Sequence, residues 1–163
     1  MGGVEWGPAS DNGTLYVAVS DQSFLSARQA TDPPVLDPEK GGGLFALRLD
    51  NGERLWMTKP PPCGTRRPCS PAQPGAISAI PGVVFSGSLD GHIRAYSAAD
   101  GKIVWDYDTV REYKTVNGVP GRGGSFNVAG PVIVDGVLYV LSGYDQFGAA
   151  PGNTLLAFTV DGR

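Results

Sequence analysis

The two cysteines, Cys63 and Cys69, are the first residues whose type and spacing suggest chemistry. Five residues separate them in a proline-rich loop, so the pair could close a small disulfide ring or remain as two free thiols. The spacing is neither that of a CxxC redox pair nor that of a zinc knuckle. The only histidine, His92, is distant in sequence and fits a surface or packing role better than a catalytic one. The sequence therefore favours a structural disulfide in an oxidising compartment over a metal site.

A glycine-rich loop at 122–127 offers a second set of useful groups. Arg122, Ser125 and Asn127 bring a cation, a hydroxyl and an amide together with backbone N–H groups. Such donors suit a ligand that carries negative charge, whereas the simpler interpretation is a loop that needs glycine for its turns. Asp145 follows a strand end and could face a channel, although an ordinary turn carboxylate is the simpler interpretation.

The composition restricts the elements that can position these residues. Of the 163 residues, 24 are glycine and 14 are proline, which excludes a helical bundle, while 41% are hydrophobic, too many for a disordered chain. The formal charge of −3 gives no electrostatic reason to expect a nucleic acid as partner, and no apolar run is long enough to span a membrane as a helix. The sequence predicts one turn-rich, all-β domain over residues 1–163.

The chain contains an internal repeat. Segments 43–56 and 91–105 share a pattern in which an alanine leads a glycine by six positions and a tryptophan, Trp56 or Trp105, by ten. A third, partial copy at 152–162 reaches its turn one residue early. Each copy predicts a β-hairpin, because apolar residues alternate along it and a glycine allows the tight turn. Copies that differ mainly in their connecting loops are typical of repeated sheets.

Two further strands are predicted before each hairpin, which gives the four antiparallel strands of a β-propeller blade. Three blades are expected, with approximate bounds 1–56, 74–109 and 123–163, and the last lacks its closing strand. Because a propeller ring needs at least about four blades, we expect the chain to be part of a longer one. Unpaired strand edges at the open ends predict a sticky or marginally stable species in isolation.

The stretch 46–56 and its twin 95–105 resemble the tryptophan-docking repeat of the quinoprotein propellers, a family built around pyrroloquinoline quinone (PQQ). In that family, each indole packs against the peptide plane beside the glycine of the neighbouring repeat. The resemblance implies an eight-bladed propeller for the complete protein. It also implies that Trp56 and Trp105 are structural residues that join adjacent blades.

A second resemblance concerns the cofactor. The Gly-Gly-x-x-Trp sequence at 2–6 and the strand that precedes Asp21 are similar to a segment of the quinoprotein alcohol dehydrogenases. There the indole forms the floor beneath PQQ, which implies that Trp6 stacks on the quinone and that Asp21 ligates the neighbouring Ca²⁺, where the family usually has asparagine. The alternatives are blade packing for Trp6 and a solvated turn for Asp21. The donors of the 122–127 loop would then bind the PQQ carboxylates.

The catalytic aspartate of that family has no counterpart in this sequence. It usually follows the tryptophan of this repeat, but the loop 57–75 contains no carboxylate, so the catalytic residue is unknown. Segments 73–96, 115–125 and 142–158 look most like the polyvinyl alcohol dehydrogenase branch. The resemblance implies a C-terminal fragment of a periplasmic enzyme that oxidises small or polymeric secondary alcohols. Electrons would pass to cytochrome c through a haem c held elsewhere in the full-length protein.

A non-catalytic scaffold is the alternative function, because the same tryptophan repeat occurs in an outer-membrane assembly lipoprotein that binds other proteins. The long loops and the Gly-Gly-x-x-Trp sequence favour the enzyme, whereas the missing loop carboxylate favours the scaffold. The isolated fragment is expected to be inactive as an enzyme. The amino terminus, 1–6, has no basic stretch or apolar core of a secretory signal, so the periplasmic location rests on the resemblance.

Overall fold

The computed structural model describes residues 2–25, 34–144 and 148–161, so Asp145 and the terminal glycine of the third repeat, Gly162, lie outside the described residues. Every regular element within these ranges is a β-strand. No helix long and apolar enough to cross a membrane occurs in these ranges. The strands are β1 (Ala9–Asp11), β2 (Thr14–Val19), β3 (Phe24–Leu25), β4 (Val35–Leu36), β5 (Gly43–Arg48), β6 (Arg54–Thr58), β7 (Ser78–Ile80), β8 (Val83–Gly87), β9 (His92–Ser97), β10 (Ile103–Asp108), β11 (Glu112–Lys114), β12 (Pro120–Arg122), β13 (Val132–Val134), β14 (Val137–Ser142) and β15 (Thr154–Phe158).

Three antiparallel sheets follow one another along the chain. The first blade has the strand order β1-β2-β5-β6, the second has β7-β8-β9-β10, and the third has β13-β14-β15 in the described residues. The predicted all-β fold, a partial propeller of about three blades, is therefore confirmed. Short hairpins, β3-β4 and β11-β12, lie in two of the connections.

The sequence predicts strands from Trp6 to Ser10 and from Ala76 to Ile80, and both begin later in the structure. The first was expected from Trp6, but β1 begins at Ala9, directly after Pro8, which has no N–H to donate to a ladder. The second was expected from Ala76, but β7 begins at Ser78. The N–H groups of residues 76 and 77 donate to the carbonyl oxygens of Val128 and Gly7 instead, so this stretch bridges neighbouring blades.

The apolar core lies between the sheets. Leu44 and Ala46 of the first blade are fully buried against Val84 and Tyr96 of the second, and a second cluster joins the second blade to the third. Alternation places one face of each strand in these clusters, which explains why the repeat keeps apolar residues two positions apart. Stacking of sheets is thus the main source of hydrophobic burial.

The indole of Trp56 docks on the second blade, as the repeat predicted. Its Nε1 donates a hydrogen bond of 2.9 Å to the carbonyl oxygen of Ala98, and the Thr58 hydroxyl donates to the carbonyl oxygen of Gly101 at 2.8 Å. A β-carbon on Gly101 would lie 2.5 Å from the indole ring, so this turn needs glycine for the contact as well as for its φ of 72°. Trp56 is nevertheless only partly buried, because it belongs to an outer strand.

Trp105 occupies the equivalent place in the second blade. It pairs with Ala95, as Trp56 pairs with Ala46, and both pairings adjoin a register shift in the outer hairpin. Its ring meets Phe158 of the third blade edge to face, with centroids 5.2 Å apart. Trp105 is also partly buried rather than enclosed.

The longer connections meet at one end of the sheets. In each antiparallel blade the first and third turns lie at one end, and the second connection and the exit to the next blade lie at the other. At this second end, Leu36, Ala72, Leu89 and Ala149 come from four connections and form one buried cluster. We call this end the loop end.

Candidate cofactor site at the loop end

The amino-terminal segment runs beside the end of β2. The N–H of Ser20 donates to the carbonyl oxygen of Gly3 at 2.9 Å, and the N–H of Gly3 donates to Oδ1 of Asp21 at 3.3 Å. Trp6 lies between Gly3 and Ala9, the first residue of β1, so it lies at the same end of the blade as Asp21. Asp21 has a φ of 41°, a left-handed conformation that aspartate tolerates better than most residues.

The Trp6 side chain is 47% exposed and contacts no other aromatic ring among residues 2–25, 34–144 and 148–161. A large apolar ring left half open at a loop end has room for a flat ligand on one face. Packing against a neighbouring blade would cover the same face of the ring. The exposure of Trp6 in this chain is therefore compatible with either predicted role, cofactor stacking or blade packing.

Two oxygen atoms that sequence reasoning missed lie next to these residues in the chain. Oε1 of Glu5 and the hydroxyl of Ser20 are buried and have no hydrogen-bond partner within the part of the chain that the structure describes. Glu5 precedes Trp6 and Ser20 precedes Asp21, so adjacency to the motif was the available signal. A buried oxygen without a partner is costly unless a ligand satisfies it.

Asp21 faces a groove of about 460 Å³ at the loop end. Lys40 and Lys59 line the same groove, together with prolines of the connection that leaves the first blade. Trp6 does not line it. The structure therefore places Trp6 and Asp21 at one end of the blade, with only Asp21 opening into this groove.

The glycine-rich loop separates its three candidate residues. Ser125 is fully buried, and its hydroxyl donates to the carbonyl oxygen of Leu89 at 2.6 Å and accepts from the N–H of Ala150 at 2.9 Å. Asn127 is buried, and its Oδ1 accepts the N–H of Val128. Ser125 therefore ties the loop to two neighbouring connections, whereas this bond of Asn127 stays within its own loop.

Arg122 points elsewhere. Its side chain is exposed in a groove of about 940 Å³ formed around the β11-β12 hairpin, and neither Ser125 nor Asn127 lines that groove. Lys114 and Asn153 line the same groove, and Asn153 accepts the backbone N–H of Arg122 at 2.8 Å. The surface can attract anionic groups through Arg122 and Lys114.

A buried ion pair supports the loop end of the second blade. Nη2 of Arg94 donates to Oδ2 of Asp90 at 2.6 Å, and both side chains are at least 95% buried. Nη1 of Arg94 donates to the hydroxyl of Ser88, which bonds Asp90 as well. Burial alone would lower the pKa of Arg94, but the charge and the hydrogen bond of Asp90, together with further nearby charges, outweigh burial and raise that pKa. The pair fixes the turn 88–91.

A second, more exposed set of charges joins this pair to the disulfide, which forms between Cys63 and Cys69 as predicted. Nδ1 of His92 lies 2.5 Å from Oδ1 of Asp106, and Nη2 of Arg66 lies 2.6 Å from Oδ2 of Asp108. Burial would raise the pKa of Asp108, but the hydrogen bond from Arg66 and further contacts prevail and lower it. Sequence reasoning missed this network, whose members are far apart in the chain.

These sheets, the docked indole and the shared loop end define the chain as a segment of a tryptophan-docking β-propeller. Over its whole length the chain is 40% identical to the polyvinylalcohol dehydrogenase of Pseudomonas sp, and it is 40% identical to that of Sphingopyxis sp. (strain 113P3). The predicted resemblance is therefore confirmed, and the chain is a relative of the polyvinylalcohol dehydrogenases within the quinoprotein alcohol dehydrogenases. It spans 26% of the length of each of these relatives.

Solved structures show the same fold. The quinohemoprotein alcohol dehydrogenase from Comamonas testosteroni matches 85% of this chain and 17% of its own, with a TM-score of 0.55 and 23% identity. BamB from Moraxella catarrhalis matches 96% of this chain and 50% of its own, with a TM-score of 0.51 and 18% identity. At these identities the likeness shows the propeller fold alone. No protein-family model matches the sequence.

Proposed function

We propose that the chain is a propeller segment of a PQQ-dependent alcohol dehydrogenase that oxidises secondary alcohols of the polyvinyl alcohol type, small or polymeric. The observation that carries this proposal is the 40% identity, along the whole chain, to two polyvinylalcohol dehydrogenases. The complete enzyme would pass its electrons to cytochrome c. The haem c would be held by another part of that enzyme, since a CxxCH sequence is absent from these 163 residues.

The residues at the end of the first blade fit the proposed cofactors. When bound, PQQ accepts the electrons of the alcohol, and Ca²⁺ polarises the quinone as a Lewis acid. Trp6 offers a half-exposed aromatic face for stacking on the quinone. Asp21 offers a carboxylate, a hard oxygen donor of the kind that Ca²⁺ prefers. The buried and unpartnered oxygens of Glu5 and Ser20 belong to the residues that precede Trp6 and Asp21 in the chain. These residues would bind and orient the cofactors.

The glycine-rich loop would contribute in two ways. Arg122 is exposed and could pair with a carboxylate of the ligand, whereas Ser125 and Asn127 would act on PQQ through the loop backbone that they hold in place. The base that removes the alcohol proton would lie in another part of the enzyme, because the loop 57–75 has no carboxylate. The disulfide suits the proposed periplasmic location.

A chimera tests the proposal. The matching quarter of the Pseudomonas sp polyvinylalcohol dehydrogenase would be replaced by this chain, and the product reconstituted with PQQ and Ca²⁺. We expect PQQ-dependent oxidation of polyvinyl alcohol. Asp21→Ala should weaken Ca²⁺-dependent reconstitution with PQQ, and Trp6→Ala should weaken PQQ binding even at saturating Ca²⁺. Asp50→Ala, at the opposite end of the blade, is the matched control and should leave both unchanged.

A protein-binding scaffold is the second candidate, favoured by the missing carboxylate in the loop 57–75. A chimera that folds but neither binds PQQ nor oxidises alcohol would contradict the enzyme proposal and support the scaffold proposal. Normal reconstitution of the Asp21→Ala chimera would overturn the site assignment while leaving the enzyme proposal intact.

A further inference from the structure

Arg66 attaches the disulfide loop, residues 63–69, to the second blade. Its Nη2 donates to Oδ2 of Asp108 at 2.6 Å, and its Nη1 donates to the carbonyl oxygen of Asp90 at 3.2 Å. The same Nη1 lies 3.5 Å from Nε2 of His92. The loop carries the buried Cys69 and the partly exposed Cys63, so the contacts of Arg66 bear on how readily solvent reaches the Cys69 side of the disulfide.

The contacts of His92 fix its tautomer. Nδ1 lies 2.5 Å from Oδ1 of Asp106, and a carboxylate only accepts hydrogen bonds, so Nδ1 carries the proton of the neutral ring. Nε2 is then a bare acceptor that faces the Arg66 guanidinium. In this state the imidazole and Asp108 both favour the position of Arg66.

Protonation of the ring would reverse one of these contacts. Nε2 would become a donor facing Nη1 of Arg66, so two cationic groups would meet. Nε2 also lies 3.8 Å from Oδ2 of Asp108, the atom that Arg66 binds. The imidazolium and the guanidinium would therefore meet at the same carboxylate oxygen and repel each other.

The neighbouring charges cannot relieve this repulsion. Asp106 already binds Nδ1 of His92 and Nε of Arg94. Asp90 is held by Arg94 in the buried pair, and its Oδ1 accepts the N–H of His92. Within the described residues of this cluster, no further carboxylate faces Arg66.

We propose that His92 is a pH-sensitive latch: neutral His92 keeps the disulfide loop on the second blade through Arg66, and protonated His92 displaces Arg66 from Asp108 and loosens the loop. Histidine is the side chain that proteins most often use as a pH switch, so acidification is the condition that tests the latch. Cys69, which is buried in the latched form, becomes more accessible to reductants. Pro62 and Pro71, which wall the Asp21 groove on either side of the loop, gain freedom at the same time.

The rate of disulfide reduction by a phosphine tests the latch in this chain without any cofactor. Rates are measured at about pH 8 and pH 5 and divided by those of an oxidised synthetic peptide of residues 60–72, which removes the intrinsic pH dependence of the reagent. We expect the corrected rate to rise about fivefold at the lower pH, as for the loss of one partly exposed charged contact. The midpoint should coincide with the titration of His92, the single histidine, followed by NMR.

Variants distinguish the effect of His92 from a nonspecific loosening of the chain at low pH. His92→Gln should remove the pH dependence, and Arg66→Gln should give the fast rate at both pH values. Arg67→Gln is the matched control, because Arg67 bonds only carbonyl oxygens of the loop among the described residues, and it should keep the wild-type ratio. A His92→Gln variant that retains the fivefold rise, or a neutral ring protonated on Nε2 rather than Nδ1, would overturn the proposal.

Discussion

The indole nitrogen of Trp56 and the carbonyl oxygen of Ala98 form a hydrogen bond of 2.9 Å across the boundary between the first and second blades. The bond joins the last strand of one sheet to the hairpin turn of the next. Substitutions at this contact should therefore change the free energy of unfolding.

Trp56→Phe should cost about 1 kcal/mol more than Trp105→Phe, because only the first substitution removes a hydrogen bond of an indole to a described residue. Both variants lose similar ring volume. Urea unfolding followed by circular dichroism measures the difference. Equal losses of stability would show that the bond to Ala98 contributes nothing.

Gly101→Ala should destabilise the chain more than Gly52→Ala. The two glycines have nearly equal φ values, 72° and 73°, so both variants carry a left-handed alanine that costs about 1 kcal/mol. A β-carbon at Gly101 would also meet the Trp56 ring, whereas Gly52 has open space. Overpacking should add about 1–3 kcal/mol at Gly101 alone, measured by the same unfolding experiment.

Asp90→Ala should destabilise the chain by about 3–5 kcal/mol, because it leaves the Arg94 guanidinium buried without its main partner. The double variant Asp90→Ala with Arg94→Met should be less destabilised than the single one. Chemical denaturation of both variants gives the comparison. If the double variant is less stable than the single variant, the ion pair contributes more to the free energy of unfolding than its burial costs.

Removing the disulfide with Cys63→Ser and Cys69→Ser should cost about 2 kcal/mol, the loop-closure value for so short a ring. Mass spectrometry of the unmodified protein should show the loss of two hydrogen atoms relative to the reduced chain. Two alkylatable thiols in protein from an oxidising compartment would contradict the pairing.

Acid should destabilise the wild type more steeply than Asp108→Asn. The pKa of Asp108 is lowered in the folded chain from its ordinary 3.8. Its stabilising effect is therefore complete above about pH 3.8 and is lost as the pH falls towards the lower, folded value. Unfolding measured from pH 5 to pH 2 should give a flatter profile for the variant. Parallel profiles would show that Arg66 does not stabilise the carboxylate.

The sequence predicted those parts of the fold that depend on local pattern. The spacing from Ala46 to Trp56 is repeated from Ala95 to Trp105, and this was enough to locate the hairpins and the docking indole. The disulfide was predictable from the short separation of two cysteines. Each of these features is predicted by a pattern of eleven consecutive residues or fewer.

Contacts between distant residues were not predictable in the same way. Arg66 and Asp108 are 42 positions apart, and no periodicity connects a proline-rich loop to the end of an outer strand. Ser125 was chosen for its hydroxyl, yet packing of the connections buries that hydroxyl between Leu89 and Ala150. Residue type gave the candidates, but only the stacking of sheets decides which of them face outward.

The docking of Trp56 on a later turn also determines the order in which the chain matures during synthesis. Ala98 follows Trp56 by 42 residues, and ribosomes add about 5–20 residues per second, so the acceptor emerges roughly 2–8 s after the indole. Trp56 therefore cannot form this hydrogen bond until the turn that carries Ala98 has been made, and the first blade is completed only by a part of the chain that is synthesised later.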